Sequence, residues 1–122
     1  MKTKPGRALA IQPRLRVRVG NEIALGPGKV ELLELLRQTG SISEAAKQMG
    51  VSYMRAWTLI RTMNACFRKP LVIAVRGGSK GGGGATLTET GSAALALYHQ
   101  MDAQCLKATQ PVWKRLRKFL HR

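Results

Sequence analysis

Acidic side chains are what this chain has least of: six Asp and Glu stand against 21 Lys and Arg, a formal charge of +15 over 122 residues. Solubility needs far less. Such a field concentrates polyanions, so nucleic acid, an anionic membrane surface or an acidic protein is the expected class of partner. Cysteine is also scarce. Cys66 and Cys105 lack any metal-ligand spacing, and both are expected as buried or half-buried thiols in a reducing cytoplasm. The two histidines, His99 and His121, have no carboxylate cluster beside them. Only Asp102 is near, and His99 with Asp102 at i, i+3 reads as a surface pair. No catalytic constellation is present, so neither an enzyme nor a metal or cofactor is expected. Long apolar runs are missing too. Ala8 to Ile11 ends at Gln12-Pro13-Arg14, too short for the core of a signal peptide, and no stretch approaches a membrane span.

The length allows one domain with a tail. Residues 1–13, with Pro5, Gly6 and Pro13 among basic residues, are expected as a mobile basic arm. From Arg14 the pattern alternates. Leu15, Val17 and Val19 fall on one face and Arg14, Arg16 and Arg18 on the other, as in a half-buried strand. Gly20-Asn21 suits a two-residue hairpin turn, and Ile23 and Leu25 continue the alternation on a second short strand. Gly26-Pro27-Gly28 breaks it. Lys29 to Thr39 is then a leucine-rich helix (Leu32, Leu33, Leu35, Leu36) closed by Gly40.

The chain is organised around Ser41 to Asn64, SISEAAKQMGVSYMRAWTLIRTMN. Ser41 followed by Glu44 is a capping box, and Ile42, Ala45, Ala46 and Met49 recur at i, i+3, i+4 and i+7. Gly50-Val51-Ser52 is the break that two steeply packed helices need, with Ser52 capping the second. On that second helix Tyr53, Ala56, Trp57, Ile60, Met63 and Asn64 are expected in the core, while Met54, Arg55, Thr58, Arg61 and Thr62 face out. Cations, hydroxyls and one flexible apolar side chain suit phosphates, guanine edges and thymine methyls in a major groove. An outward Arg/Thr face also serves as an ordinary solvated surface. What favours the groove is the combination: Ala-Ala in the first helix, a glycine turn and an aromatic in the second.

Pro70 precedes an apolar β-branched run, Leu71 to Val75, and Ala85-Thr86-Leu87 reads as a returning strand. Between them lies Arg76-Gly77-Gly78-Ser79-Lys80-Gly81-Gly82-Gly83-Gly84. A hairpin in this position makes a winged helix. Glycines such as Gly81 and Gly82 let the backbone approach a phosphate, and Arg76 and Lys80 supply charge. A flexible linker would have to lead to a further domain, and too little chain follows. A phosphate-binding P-loop needs Gly-Lys-Ser/Thr opening a helix, whereas here Ser79-Lys80 precedes glycines and a strand.

Thr88 is expected to cap a longer helix whose stripe Ala94, Tyr98, Met101, Cys105, Ala108 alternates steps of four and three, as in a coiled-coil seam. Packing back onto its own domain explains the same stripe. A dimer is favoured because one helix-turn-helix reads only a few base pairs, too few to find a site among many competitors. Pro111 would begin a last helix with Val112, Trp113, Leu116, Phe119 and Leu120 against Lys114, Arg115, Arg117, Lys118 and Arg122. Such basic amphipathic helices suit membranes, partner grooves or DNA flanks, or complete a core.

Ser-Tyr-x-x-Ala-Trp together with Gly-Gly-x-x-Gly-Gly-Gly-Gly-x-x-Leu-Thr-x-x-Gly resembles the N-terminal DNA-binding domain of the ModE family of molybdate-responsive transcriptional regulators, over roughly Arg14 to Gln104. The resemblance implies a dimeric winged helix with a recognition helix from Ser52-Tyr53 and a wing from Gly77 to Gly84. Full-length members carry C-terminal oxyanion-binding domains; here a short basic helix stands in their place, so molybdate sensing is not carried over.

The expected fold is α+β, mostly α: a winged helix-turn-helix with a β-hairpin wing, a short N-terminal hairpin and a long C-terminal dimerisation helix. Residues 1–13 form the arm, 14–109 the domain with its dimerisation helix, and 110–122 a basic amphipathic helix. The function expected is sequence-specific regulation of transcription by a cytoplasmic, nucleoid-associated homodimer on double-stranded DNA, without a membrane or effector partner. Ser41, Ser52, Tyr53, Met54, Arg55, Thr58, Arg61, Thr62, Arg76, Lys80, Gly81 and Gly82 are the expected DNA contacts. The competing reading is a nonspecific nucleic-acid-binding or nucleoid-associated architectural protein, since +15 alone binds polyanions tightly.

Overall fold

A computed structural model describes residues 8–75 and 84–121. The wing residues Arg76, Lys80, Gly81 and Gly82 lie outside them, as does most of the basic arm. Residues 8–13 have no regular structure, yet Ile11 and Pro13 are half-buried, and Gln12 and Pro13 border a cleft shared with Pro27–Thr39 and the last long helix.

β1 (Val17–Val19) pairs antiparallel with β2 (Glu22–Leu25) through a turn at Gly20, whose φ of 60° is left-handed. The register shifts between Val17, opposite Leu25, and Arg18, opposite Ile23. This bulge breaks the period of two expected from Arg14 onward: Ala24 and Leu25 are both buried, and Val19 points to solvent. α1 (Pro27–Thr39) begins two residues earlier than the leucine pattern suggests. Proline at its start costs no hydrogen bond, because the first amides of a helix are unpaired anyway.

Val30, Leu32, Leu33 and Leu36 of α1 form the floor on which α2 (Ile42–Met49) and α3 (Tyr53–Cys66) pack. Ser41 Oγ accepts the Glu44 amide at 3.0 Å, and Gly40 and Gly50 close α1 and α2 at φ 66° and 72°. The capping box is only half made, since the Ser41 amide donates to Thr39 Oγ1 instead. Ala45 and Ala56 are fully buried. Side chains this small at a helix crossing permit the close approach of α2 and α3 that a helix-turn-helix requires.

β3 (Val72–Val75) and β4 (Gly84–Leu87) form the base of the wing. β4 is held on its other edge by an isolated bridge to Ser41 and by the Ala85 amide donating to the Gly40 carbonyl at 3.1 Å. Asn64 clamps the far side: its Oδ1 accepts the Leu71 and Val72 amides at 2.8 and 3.2 Å, and its Nδ2 donates to the Val72 carbonyl at 2.9 Å. The wing is thereby tied to the C-terminal end of α3.

α4 runs unbroken from Glu89 to Leu116, followed by a short 3-10 turn, Arg117–Phe119. The separate helix expected from Pro111 is therefore part of α4. Proline removes one amide and crowds the carbonyl of the preceding turn; here Thr109 Oγ1 donates to the Cys105 and Leu106 carbonyls and Gln110 Nε2 to that of Leu106, so side chains bond the backbone just before the interruption. His99 pairs with Glu34 of α1 at 3.1 Å, not with Asp102, because α1 lies alongside. Among the described residues, no helix is long and apolar enough to cross a membrane.

Candidate nucleic-acid interface

α3 is fixed in the core by Ala56, Ile60 and Met63. Its opposite face presents Met54, Arg55, Thr58 and Arg61 to solvent, with Thr62 half-buried at the edge. Met54 is 68% exposed. Neither Arg55 nor Arg61 has an ion-pair partner among the described residues. Both guanidiniums keep their five donors for an external acceptor such as a phosphate or a guanine edge. Thr58 differs from what its hydroxyl suggests. Its Oγ1 donates to the Met54 carbonyl at 2.9 Å, so what it offers outward is a methyl group and an acceptor.

Ser52 Oγ accepts the Arg55 amide at 3.0 Å, and Ser41 uses its hydroxyl on α2 and its backbone on β4. Tyr53, expected in the core, is 38% exposed. Trp57 is half-buried against the core, and its indole Nε1 donates to the Tyr53 hydroxyl at 3.1 Å. The first turn of α3 is therefore an exposed end that carries Tyr53, Met54 and Arg55, and the N-terminus of a helix is the kind of end at which anions bind.

The expected α4 seam divides in two. Tyr98 is buried, 3% exposed, and donates to the Leu15 carbonyl at 2.7 Å, so it belongs to its own domain. Ala94 and Cys105 are half-buried, whereas Met101 and Ala108 are exposed. Leu97, Val112 and Leu116, 59, 64 and 55% exposed, extend the open strip. Leu97, Met101, Cys105, Ala108, Val112 and Leu116 fall within about 100° of helix circumference.

Three contributors were not visible as such in the residue pattern: the Asn64 clamp, the Trp57–Tyr53 pair and Gly91. Gly91 lies in the first turn of α4 directly against the Leu71 backbone, where a Cβ would run into the Leu71 carbonyl. Gly91 carried a signal through the Leu-Thr-x-x-Gly motif, and Tyr53 and Trp57 through Ser-Tyr-x-x-Ala-Trp and their i, i+4 spacing; the Asn64 hydrogen bonds, seven and eight residues apart, leave no periodicity.

The model of the bacterial regulatory helix-turn-helix proteins of the lysR family matches residues 28–92, which span α1 to the start of α4. The chain belongs to that family. The matched region is also similar to proteins named for molybdenum and for ModE, as the Ser-Tyr-x-x-Ala-Trp and glycine motifs suggested. It is 42% identical over 83 residues to the "Molybdenum-pterin-binding protein MopB" of Rhodobacter capsulatus, covering 68% of this chain and 30% of that protein. To the "Molybdenum transport protein ModE" of Azotobacter vinelandii it is 39% identical over 93 residues, covering 76% and 34%. The "DNA-binding transcriptional dual regulator ModE" of Escherichia coli (strain K12) is 39% identical over 84 residues, covering 69% and 32%. The chain thus spans about a third of the length of these relatives, and has a ModE-like N-terminal helix-turn-helix domain.

Proposed function

We propose that the chain is a sequence-specific regulator of transcription that binds duplex DNA as a homodimer. The observation that carries the reading is the outward face of α3, where Met54, Arg55 and Arg61 stand in solvent and the two arginines have no ion-pair partner among the described residues. Arg55, Thr58 and Arg61 are assigned to base edges; Ser52, Tyr53 and Thr62 flank them, and Ser41 supports the wing side. Arg76, Lys80, Gly81 and Gly82 are assigned to phosphates on the strength of their charge and glycine content. The net charge of +15 supplies the sequence-independent part of the affinity.

The exposed strip of α4 is assigned to the second copy, because contiguous apolar surface of this kind on a highly charged chain marks an interaction site. DNA binding is what the relatives' helix-turn-helix shares with this chain; the molybdenum chemistry in their names belongs to proteins about three times as long, and no effector is proposed. The site of action is the cytoplasm, on the chromosome.

Selection of preferred duplexes from a random library, followed by the Arg55→Ala variant, tests the reading. Loss of preference at one or two base positions is expected, each contact contributing ~1–3 kcal/mol of discrimination. Equal weakening on preferred and random duplexes would reduce Arg55 to a phosphate contact and favour an architectural, nonspecific binder.

A further inference from the structure

We propose that Trp57 is a positioning residue for DNA binding: its indole N–H takes the inner side of the Tyr53 hydroxyl and so aims the Tyr53 O–H outward, as a fixed donor to a backbone phosphate. The inference rests on the duplex-binding reading above. A phenolic O–H lies close to the ring plane and has two orientations there. An indole N–H is a donor only, so the 3.1 Å contact makes Tyr53 the acceptor. The phenol's own proton cannot then point at Trp57 and takes the other orientation.

That remaining donor has no acceptor among the described residues. It sits on an exposed ring carried by the first residue of α3, the end of the helix where the dipole favours negative charge. A phosphate oxygen is the acceptor on duplex DNA that this end of a helix suits. Trp57 is anchored for the task by its packing against the core. Holding a donor in one orientation before binding removes ordering that would otherwise accompany association. Trp57 therefore reads as both core and interface: its ring fills the space behind the first turn of α3, and its one polar atom sets the direction of its neighbour's proton.

The test is a double-mutant cycle on binding to a duplex selected against the unsubstituted protein. Tyr53→Phe should weaken binding about ten-fold, the loss of one hydrogen bond to a charged acceptor. Trp57→Phe should weaken it several-fold in the unsubstituted chain and have almost no effect in the Tyr53→Phe background. Because the phenol is neutral, the salt dependence of binding should stay unchanged in both variants. If Trp57→Phe fails to fold, benzothienylalanine at position 57 keeps the ring size and removes only the N–H, and the same cycle applies. Equal fold-losses for the Trp57 replacement in both backgrounds, or no loss for Tyr53→Phe, overturn the proposal. Failure of the unsubstituted protein to bind any selected duplex overturns the functional reading instead, and the two failures are distinguishable in one series of titrations.

Discussion

Asn64 shows how much one side chain can decide. Its amide bonds three backbone groups of Leu71 and Val72, two buried residues, so replacing it leaves two donors and an acceptor without their partner at a part-buried site. Asn64→Ala is expected to destabilise the chain by roughly 2–3 kcal/mol, read as a lower urea midpoint with an unchanged slope. Tyr98 offers a pH test. Burial raises its pKa above the ordinary 10.0, reinforced by the Asp102 carboxylate and opposed by Arg14 and Arg16. The unfolded chain ionises first as pH rises, so the neutral folded phenol contributes stability that is fully present below pH 10 and is lost above it, up to the raised folded value. Thermal unfolding between pH 8 and 11, on the order of the window set by that pKa, should show a steeper alkaline fall for the unsubstituted protein than for Tyr98→Phe. Equal slopes would show that other groups control the alkaline limit.

The first turn of α4 and its cap are tied by several hydrogen bonds to the backbone just before β3. Thr88 Oγ1 accepts the Gly91 amide at 2.9 Å and itself donates to the Pro70 carbonyl at 2.7 Å, while the Thr88 amide donates to the Leu71 carbonyl at 2.9 Å. Gly91 lets the helix sit directly on that backbone. Gly91→Ala should gain helix propensity, worth ~1 kcal/mol, yet lose more by forcing α4 off the Leu71 backbone, for a net destabilisation of about 1–3 kcal/mol. A variant as stable as the unsubstituted chain in denaturant titration would show that α4 tolerates displacement. The capping motif and terminal glycine were legible in the sequence, as were the cores of α1, α2 and α3, because they depend on neighbours within a turn or two. The start of α1 at Pro27 and the passage of α4 through Pro111 were not, since proline marks a helix beginning and a helix interruption with the same residue.

At the scale of the whole molecule, the open strip of α4 is the surface proposed for assembly. Two copies joined there would set two α3 helices against one duplex, which calls for an imperfect palindrome with half-site centres about one helical turn, ~10 bp, or a multiple of it apart. Met101→Lys would place a charge in the seam and should yield folded monomers that bind their site weakly. Sedimentation at micromolar concentration is the measurement. A monomeric unsubstituted protein, or a variant that still dimerises, would return the strip to solvent and remove the dimer from the proposal. The wing belongs to the same scale, because its charge acts through the field of the whole duplex: Lys80→Ala should lower the salt slope of binding by about one unit without altering site preference.

What the sequence by itself determined was local. The charge imbalance narrowed the partner to polyanions or acidic surfaces, the Ser41 and Ser52 caps and the Gly40 and Gly50 stops set the helix ends, and the small residues of α2 marked a close helix crossing. Each follows from side-chain chemistry acting within a few residues. Tertiary structure decided where residues distant in the chain meet. A bulge turned Val19 outward, the Leu15 carbonyl drew Tyr98 out of the expected seam, and α1 took His99 from Asp102. It also moved Tyr53 from core to surface. A helical wheel gives the direction of a side chain but not whether another element covers it; nothing in the described structure covers the first turn of α3 enough to bury that ring.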